Sequence, residues 1–329
     1  MDDPRAAVHS LTRRALGKDR TVFGQPVKAV PGYVARTMRP EEAFRATLSD
    51  CLTQITANAA ALRPQESKGA RSVEGLHQLR VAFRRLEVAL GAFGKEFGQE
   101  WIEELRGRAK ILLGRLSPAR DLDVFTSKLI ISPPKSGIND GLPQLRVRAE
   151  SARDAAWIAA QACIASSDFE IFTDDVAALA GSQLPLTRDR KLPRTAKRIL
   201  NRQIARVKKR AKLAKSQEEG DLHRLRIALK KLRYTAEFFA PLYPRQDVSR
   251  YLRQVRGLQN HLGDLNDVAN VRGVVSGLLR EKTKKDDEGA MRYAAGAMVG
   301  WYGAQVPRTI KQALKRYKTF KRVEPFWVK

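Results

Sequence analysis

Two histidines open matching runs of cations. His77 is followed by Arg80 and Arg84, and His223 by Arg226, Lys230 and Arg233, so a charge returns every three or four residues. On an α-helix that spacing keeps the side chains on one face. A neutral imidazole offers one hydrogen bond to an oxyanion, and an imidazolium adds charge to it. Arginine grips phosphate oxygens through paired N–H bonds, whereas lysine meets them as a point charge. The chemistry suited to such a face is the holding of phosphate-like anions. Two blander readings stand beside it: a solvated cationic surface, and histidines that bond a backbone carbonyl near a helix end. A metal site needs further ligands about one turn away, and HxxR supplies neither a second histidine nor a carboxylate there.

The element that must carry the second run is residues 221–239, DLHRLRIALKKLRYTAEFF. At about 100° per residue, Leu225, Ala228, Leu229, Leu232, Ala236 and Phe239 gather on one side. His223, Arg226, Lys230 and Arg233 fall within about 80° of one another on the other. No helix breaker interrupts the stretch, and Asp221 stands where an N-cap is wanted. A copy lies 146 residues upstream, where Leu76, His77, Leu79, Arg80, Ala82, Leu86 and Phe93 answer Leu222, His223, Leu225, Arg226, Ala228, Leu232 and Phe239. Arg84 and Arg85 are answered by Lys230 and Lys231. The same offset carries Leu112, Leu116 and Asp121 onto Leu258, Leu262 and Asp267. So long a period predicts two similar halves related by a pseudo-two-fold, not a solenoid. Arg85 and Lys231 lie about 80° from their histidines and are free to point to solvent.

Charge is unevenly spread. The chain has 62 Lys and Arg against 35 Asp and Glu, a net +27, which predicts a polyanionic partner. Residues 188–233 alone hold 18 Lys and Arg against 4 Asp and Glu. Within them, the helix predicted over 194–215 carries Arg198, Arg202 and Arg206 four apart and Lys209 three further on. The corresponding helix of the first half, 41–62, has nothing comparable, so the second half is expected to hold an anion more strongly. A row of like charges is expected to lie beside His223, Arg226 and Lys230 with an anion between them, since parallel cations otherwise repel. Lys110 on the helix predicted over 101–116, and Arg253 and Arg256 on that over 251–262, complete the candidate set.

Further helices are predicted over 142–165, 168–180, 286–303 and 307–321, with breaks at Ser117-Pro118 and at Gly263. The aspartates of Arg120-Asp121-Leu122-Asp123 are expected to cap a new helix or pair with nearby arginines. Residues 1–38, punctuated by Gly17, Gly24, Pro26, Pro31 and Gly32, read as a linker, at most a short strand, or an ordered strap across the bundle. Cys51 and Cys163 sit among apolar neighbours without metal-ligand spacing and predict free core thiols in a reducing compartment. No stretch is apolar enough to span a membrane and the first residues do not resemble a signal peptide, so a soluble, cytoplasmic protein is expected. There is no GxxxxGK[ST] loop, no GxSxG, no Cys/His nucleophile pair and no paired carboxylates in a basic setting, and no enzymatic activity is expected.

LHQLRVAFRRLEVALGAF at 76–93 and LHRLRIALKKLRYTAEFF at 222–239, with ARDLDVF following the first and LGDLNDVANV the second, resemble the CHAD family, the conserved histidine α-helical domain. The resemblance spans roughly residue 39 to the C-terminus. It implies an all-α fold: two pseudo-two-fold-related four-helix bundles forming one domain over 39–329, with half-repeats 39–184 and 185–329 and a basic central groove. It also implies inorganic polyphosphate as the partner and, by extension, association with polyphosphate granules. On that reading the polyphosphate-binding residues are His77, Arg80, Arg84, Lys110, Arg198, Arg202, Arg206, Lys209, His223, Arg226, Lys230, Arg233, Arg253 and Arg256, with no cofactor and no metal. A nucleic-acid-binding protein is the competing class, which charge alone permits. Against it, no helix-turn-helix, zinc-finger or RNP-like motif is visible, and 194–215 has no aromatic to stack on a base.

Overall fold

The computed structural model describes residues 25–29, 34–63, 71–98, 100–131, 141–185, 191–280 and 285–328, with side chains except at 285–287. Its described residues form an all-helical fold. In chain order the helices are α1 (Pro40–Ala60), α2 (Val73–Phe97), α3 (Glu100–Val124), α4 (Leu142–Ile164), α5 (Ser167–Gly181), α6 (Leu192–Leu213), α7 (Glu219–Phe238), α8 (Arg245–Leu278) and α9 (Lys285–Phe320). Local chemistry sets several ends. Pro40 starts α1, and Glu42 Oε2 accepts the Arg39 backbone N–H at 2.8 Å. Ser72 caps α2 and Ser166 caps α5, each hydroxyl accepting a first-turn amide. Gly98 closes α2 at φ +62°, a left-handed turn that glycine adopts without penalty.

Four expectations are corrected. α3 does not stop at Ser117-Pro118 but runs on to Val124 and then widens into a π turn over Phe125–Leu129. Pro118 costs one backbone bond, but Leu116, Ala119 and Leu122 are all buried on the continuing helix, so packing outweighs the loss. The predicted pairs 251–262 and 264 onward, and 286–303 and 307–321, are each one helix, α8 and α9, the latter passing through Pro307. Asp221 is not the N-cap of α7: Glu218 is, and Asp221 lies in the first turn paired with Arg224 at 2.7 Å.

Shifting the first half by 146 residues lays α2 on α7 and α3 on α8, and lays α4 and α5 together on the single helix α9. The first half breaks where Ser166 caps α5, and the second half has no such break. This correspondence is compatible with a two-fold relation between halves.

The large core runs through both halves: α1, α2, α5 and the first part of α3 pack with α6, α7, the start of α8 and the end of α9. Phe93 and Phe239, equivalent residues of the repeat, meet across it at 5.4 Å between ring centroids. A second core lies at the far ends of α3–α4 and α8–α9, around Phe125, Leu145, Val271 and Met298. There Tyr302 donates to the Leu129 carbonyl at 3.0 Å. A small third cluster of Val88, Ala89, Tyr234 and Phe238 sets α2 against α7. At the N-terminal side, Asn58 is wholly buried and takes both backbone groups of Val27, donating to its carbonyl and accepting its N–H at 2.9 Å. Arg36 donates to the Leu242 carbonyl of the other half at 2.9 Å. The described part of the leading segment, 25–29 and 34–38, is thus tied to the helices through Val27 and Arg36 and forms no strand; the rest of 1–33 lies outside the described residues.

Candidate functional site

The histidine helices lie side by side because each has a second apolar edge. α2 buries Leu76, Leu79, Phe83, Leu86 and Phe93 in the large core and turns Val88 and Ala89 toward Tyr234 and Phe238 of α7. One turn toward the N-termini from that contact, the cations of both runs converge. Arg84 is the leading charge on Lys230 and on Arg226, and it also acts on His77, Arg80 and His223. Arg120 of α3 joins them beside His77 and Arg80.

The electrostatics of this cluster are those of cations held out of water without enough anions. Burial, reinforced by Arg84 and Arg226, pushes the Lys230 amine down to about 6. Burial also lowers both histidines, aided by Arg120 at His77 and by Arg226 and Lys230 at His223. Arg226 is lowered by burial and by Arg84, and Arg80 is lowered to about 10, chiefly by burial. Three carboxylates stand nearby: Glu74 beside His77, and the repeat pair Asp121 and Asp267. Asp121 lies 3.7 Å from Arg80 and is raised by burial against the opposing pull of four arginines. Asp267 is already paired with Lys128 at 2.7 Å. Among the described residues, neither His77, Arg84, His223, Arg226 nor Lys230 has a hydrogen-bonded or ion-paired partner.

Arg80 differs from its neighbours. It is 7% exposed, and its Nη1 donates to the carbonyls of Ser117 at 2.7 Å and Leu116 at 3.4 Å. It ties α2 to the segment of α3 around Pro118 and places Asp121 beside the cluster. Next to the cations, a cleft of about 260 Å³ is lined by His223, Arg226, Leu262, Asn266, Arg272 and Ile310.

The rest of the candidate set lies elsewhere. Arg198 and Arg202 do not face His223; both pair with Glu96 of α2, Arg202 at 2.5 Å, and this carboxylate is nearly buried. Arg206 and Lys110 stand near Lys231, which with Arg106 forms ion pairs to Glu87 at 3.7 Å each. The basic row of α6 is therefore partly neutralised by acids of α2 and forms a flank, separate from the histidine cluster. Arg233 reaches Glu237 at 3.1 Å, which Arg256 also approaches at 3.4 Å. Arg253 and Lys209 are exposed. Arg85 is not in solvent: it is 3% exposed against Cys51 and the Phe238 ring. Its neighbour Cys51 is a free buried thiol, as is Cys163. Sequence reasoning missed Arg120, and no repeat signal could have found it, since the equivalent position is Asn266.

A family model of the CHAD domain matches residues 46–275. The chain belongs to the CHAD domain family. The CHAD domain from the plant Ricinus communis, known from a crystal structure, superposes with a TM-score of 0.80 at 24% identity, covering 92% of this chain and 98% of that one. PptA from Streptomyces chartreusis superposes with a TM-score of 0.60 at 18% identity, covering 86% of this chain and 99% of that one. At these identities the likeness is one of fold. No curated protein sequence matches. Both histidine helices fall within the matched range and lie side by side where the two halves meet. Among the described residues, no group of three His, Cys, Asp or Glu could hold a metal ion. No described helix is long and apolar enough to cross a membrane.

Proposed function

We propose that this CHAD domain binds inorganic polyphosphate, without turning it over, in the cationic cluster between its halves. The observation that carries the reading is the meeting of Arg84 with Arg226, Lys230, His77 and His223, none of which forms a hydrogen bond or ion pair with a carboxylate among the described residues. Holding the Arg84 and Arg226 guanidinium groups together, partly out of water, is unfavourable unless an anion offsets it. A phosphate chain does so with closely spaced singly charged groups, which arginine and lysine meet from both sides. Family membership supports the same partner. Catalysis lacks support from the residues present, because Asp121 and Asp267 are engaged with Arg80 and Lys128. Association with polyphosphate granules follows as the cellular consequence of such binding.

The test is a competition titration at near-physiological salt, with long-chain polyphosphate, duplex DNA and single-stranded DNA matched by phosphate concentration. Polyphosphate is expected to bind tighter by roughly a hundredfold, about 2.7 kcal/mol. Equal competition by the oligonucleotides would instead make the protein a general polyanion or nucleic-acid binder. Phosphate release from polyphosphate or a nucleoside triphosphate in the presence of divalent metal would overturn the non-enzymatic reading.

A further inference from the structure

Lys230 occupies an unusual position for a lysine. It projects from the middle of α7, is mostly buried, and pairs with no carboxylate among the described residues. The charges that act on it most strongly come from two helices. From α2 come Arg84 and Arg80, and from its own helix Arg226 and Arg233, with His223 one turn earlier. Glu237 is held by Arg233, Asp121 of α3 by Arg80, and Asp267 of α8 by Lys128, so the nearby acids are committed to other cations. Four guanidinium groups cannot shed their charge near neutral pH, because arginine stays protonated there. The relief available to the empty cluster is for its amine to give up the proton.

We propose that binding of a phosphate chain at this site is coupled to uptake of a proton at Lys230. The inference rests on the polyphosphate reading and adds its regulation. In the empty protein near neutral pH the amine is largely neutral, and its lone pair replaces a fifth positive charge. When phosphate oxygens enter, they neutralise Arg84 and Arg226 and offer Lys230 acceptors, so the ammonium becomes the favoured form. One proton from solvent joins the nitrogen lone pair, no other bond changes, and the bound chain gains a cation that the empty site did not hold. The sign follows from linkage: a complex that binds more protons than the free components is strengthened as pH falls. Because the empty-state amine titrates near 6, affinity is expected to fall as pH rises above about 6, by up to about tenfold per pH unit, and to level off below it. The histidines contribute a similar but separate uptake, confined to the range around their own titration.

The discriminating measurement is isothermal titration calorimetry of the full chain with long-chain polyphosphate at pH 8, in buffers of different ionisation enthalpy. The dependence of observed heat on buffer enthalpy gives the protons taken up. Wild type is expected to take up about one proton per occupied cluster. Lys230→Arg is expected to bind without net uptake and with affinity flat between pH 7 and 8.5, because the guanidinium is charged in both states. The double variant His77→Gln, His223→Gln is expected to bind more weakly yet still take up the proton at pH 8. Polyphosphate binding with no buffer dependence in wild type, or an uptake undiminished in Lys230→Arg, would overturn the proposal while leaving polyphosphate binding intact. Absence of binding in every buffer would remove the polyphosphate reading itself, and the proton step with it.

Discussion

At the scale of single residues, the repeated histidine motif matters less than the cation one turn beyond it. Arg84 acts on every other member of the cluster, whereas Arg202 is already answered by Glu96. Arg84→Gln is therefore expected to weaken polyphosphate binding by roughly 1.5–3 kcal/mol, and Arg202→Gln by less than about 1 kcal/mol. Equal losses in a side-by-side titration would place the anion along α6 instead. Lys230 also leaves a mark on stability. Its folded-state amine titrates near 6, far below an unfolded lysine, so between those values the unfolded chain binds more protons. Lys230 thus contributes a penalty in that window that shrinks as pH rises. Thermal unfolding without polyanion is expected to show Lys230→Met more stable than wild type by roughly 1–2 kcal/mol at pH 7, with the gap closing toward pH 10. A gap that stays constant with pH would mean that the amine is charged in the empty protein.

At the scale of elements, the site depends on helices continuing where their sequences suggest a stop. α3 passes Pro118 because its apolar residues on both sides are buried and because Arg80 takes up the carbonyls of Leu116 and Ser117. Arg80→Ala leaves those groups and Asp121 without their cation and is expected to cost about 2–4 kcal/mol of stability, measured by denaturant unfolding. A cost below about 0.5 kcal/mol would show that α3 holds its course unaided. The strap at 25–29 is a second such device, since Asn58 completes the backbone hydrogen bonds of Val27 from inside the core. Asn58→Ala is expected to cost about 1–3 kcal/mol and to make the leading segment cleavable by protease ahead of the helices. Protection equal to wild type would mean that other contacts hold the strap. Helix existence was legible here because apolar residues recur every three to four positions in 41–62, 222–239 and 142–165. Helix ends were less so: Gly263 and Pro307 are local signals for a break, and the long-range packing that carries α8 and α9 past them leaves no local trace.

At the scale of the whole molecule, a net charge of +27 makes the folded state work against itself, and a polyanion relieves this. Two opposite salt effects follow. Without ligand, added salt is expected to raise the unfolding temperature by screening repulsion. With polyphosphate, the log of affinity is expected to fall linearly with log salt, with a slope of roughly 0.7–0.9 per phosphate neutralised. A salt-insensitive affinity would remove the electrostatic basis of the site. The sequence by itself determined that the chain is helical, that it is a repeat, and that its histidine helices are cationic on one face. Those properties are written in periodicity and composition, which each residue carries with it. Only the tertiary structure decided which cations share a site. Arg202 and Arg84 look alike in the sequence, but Glu96 and Glu87 of α2 turn part of the α6 and α7 charge into ion pairs on the flank. Arg84 and Lys230 are left together because Val88, Ala89, Tyr234 and Phe238 draw their helices into contact. Charge acts through distance and burial, and both are set by packing between residues that are far apart in the chain.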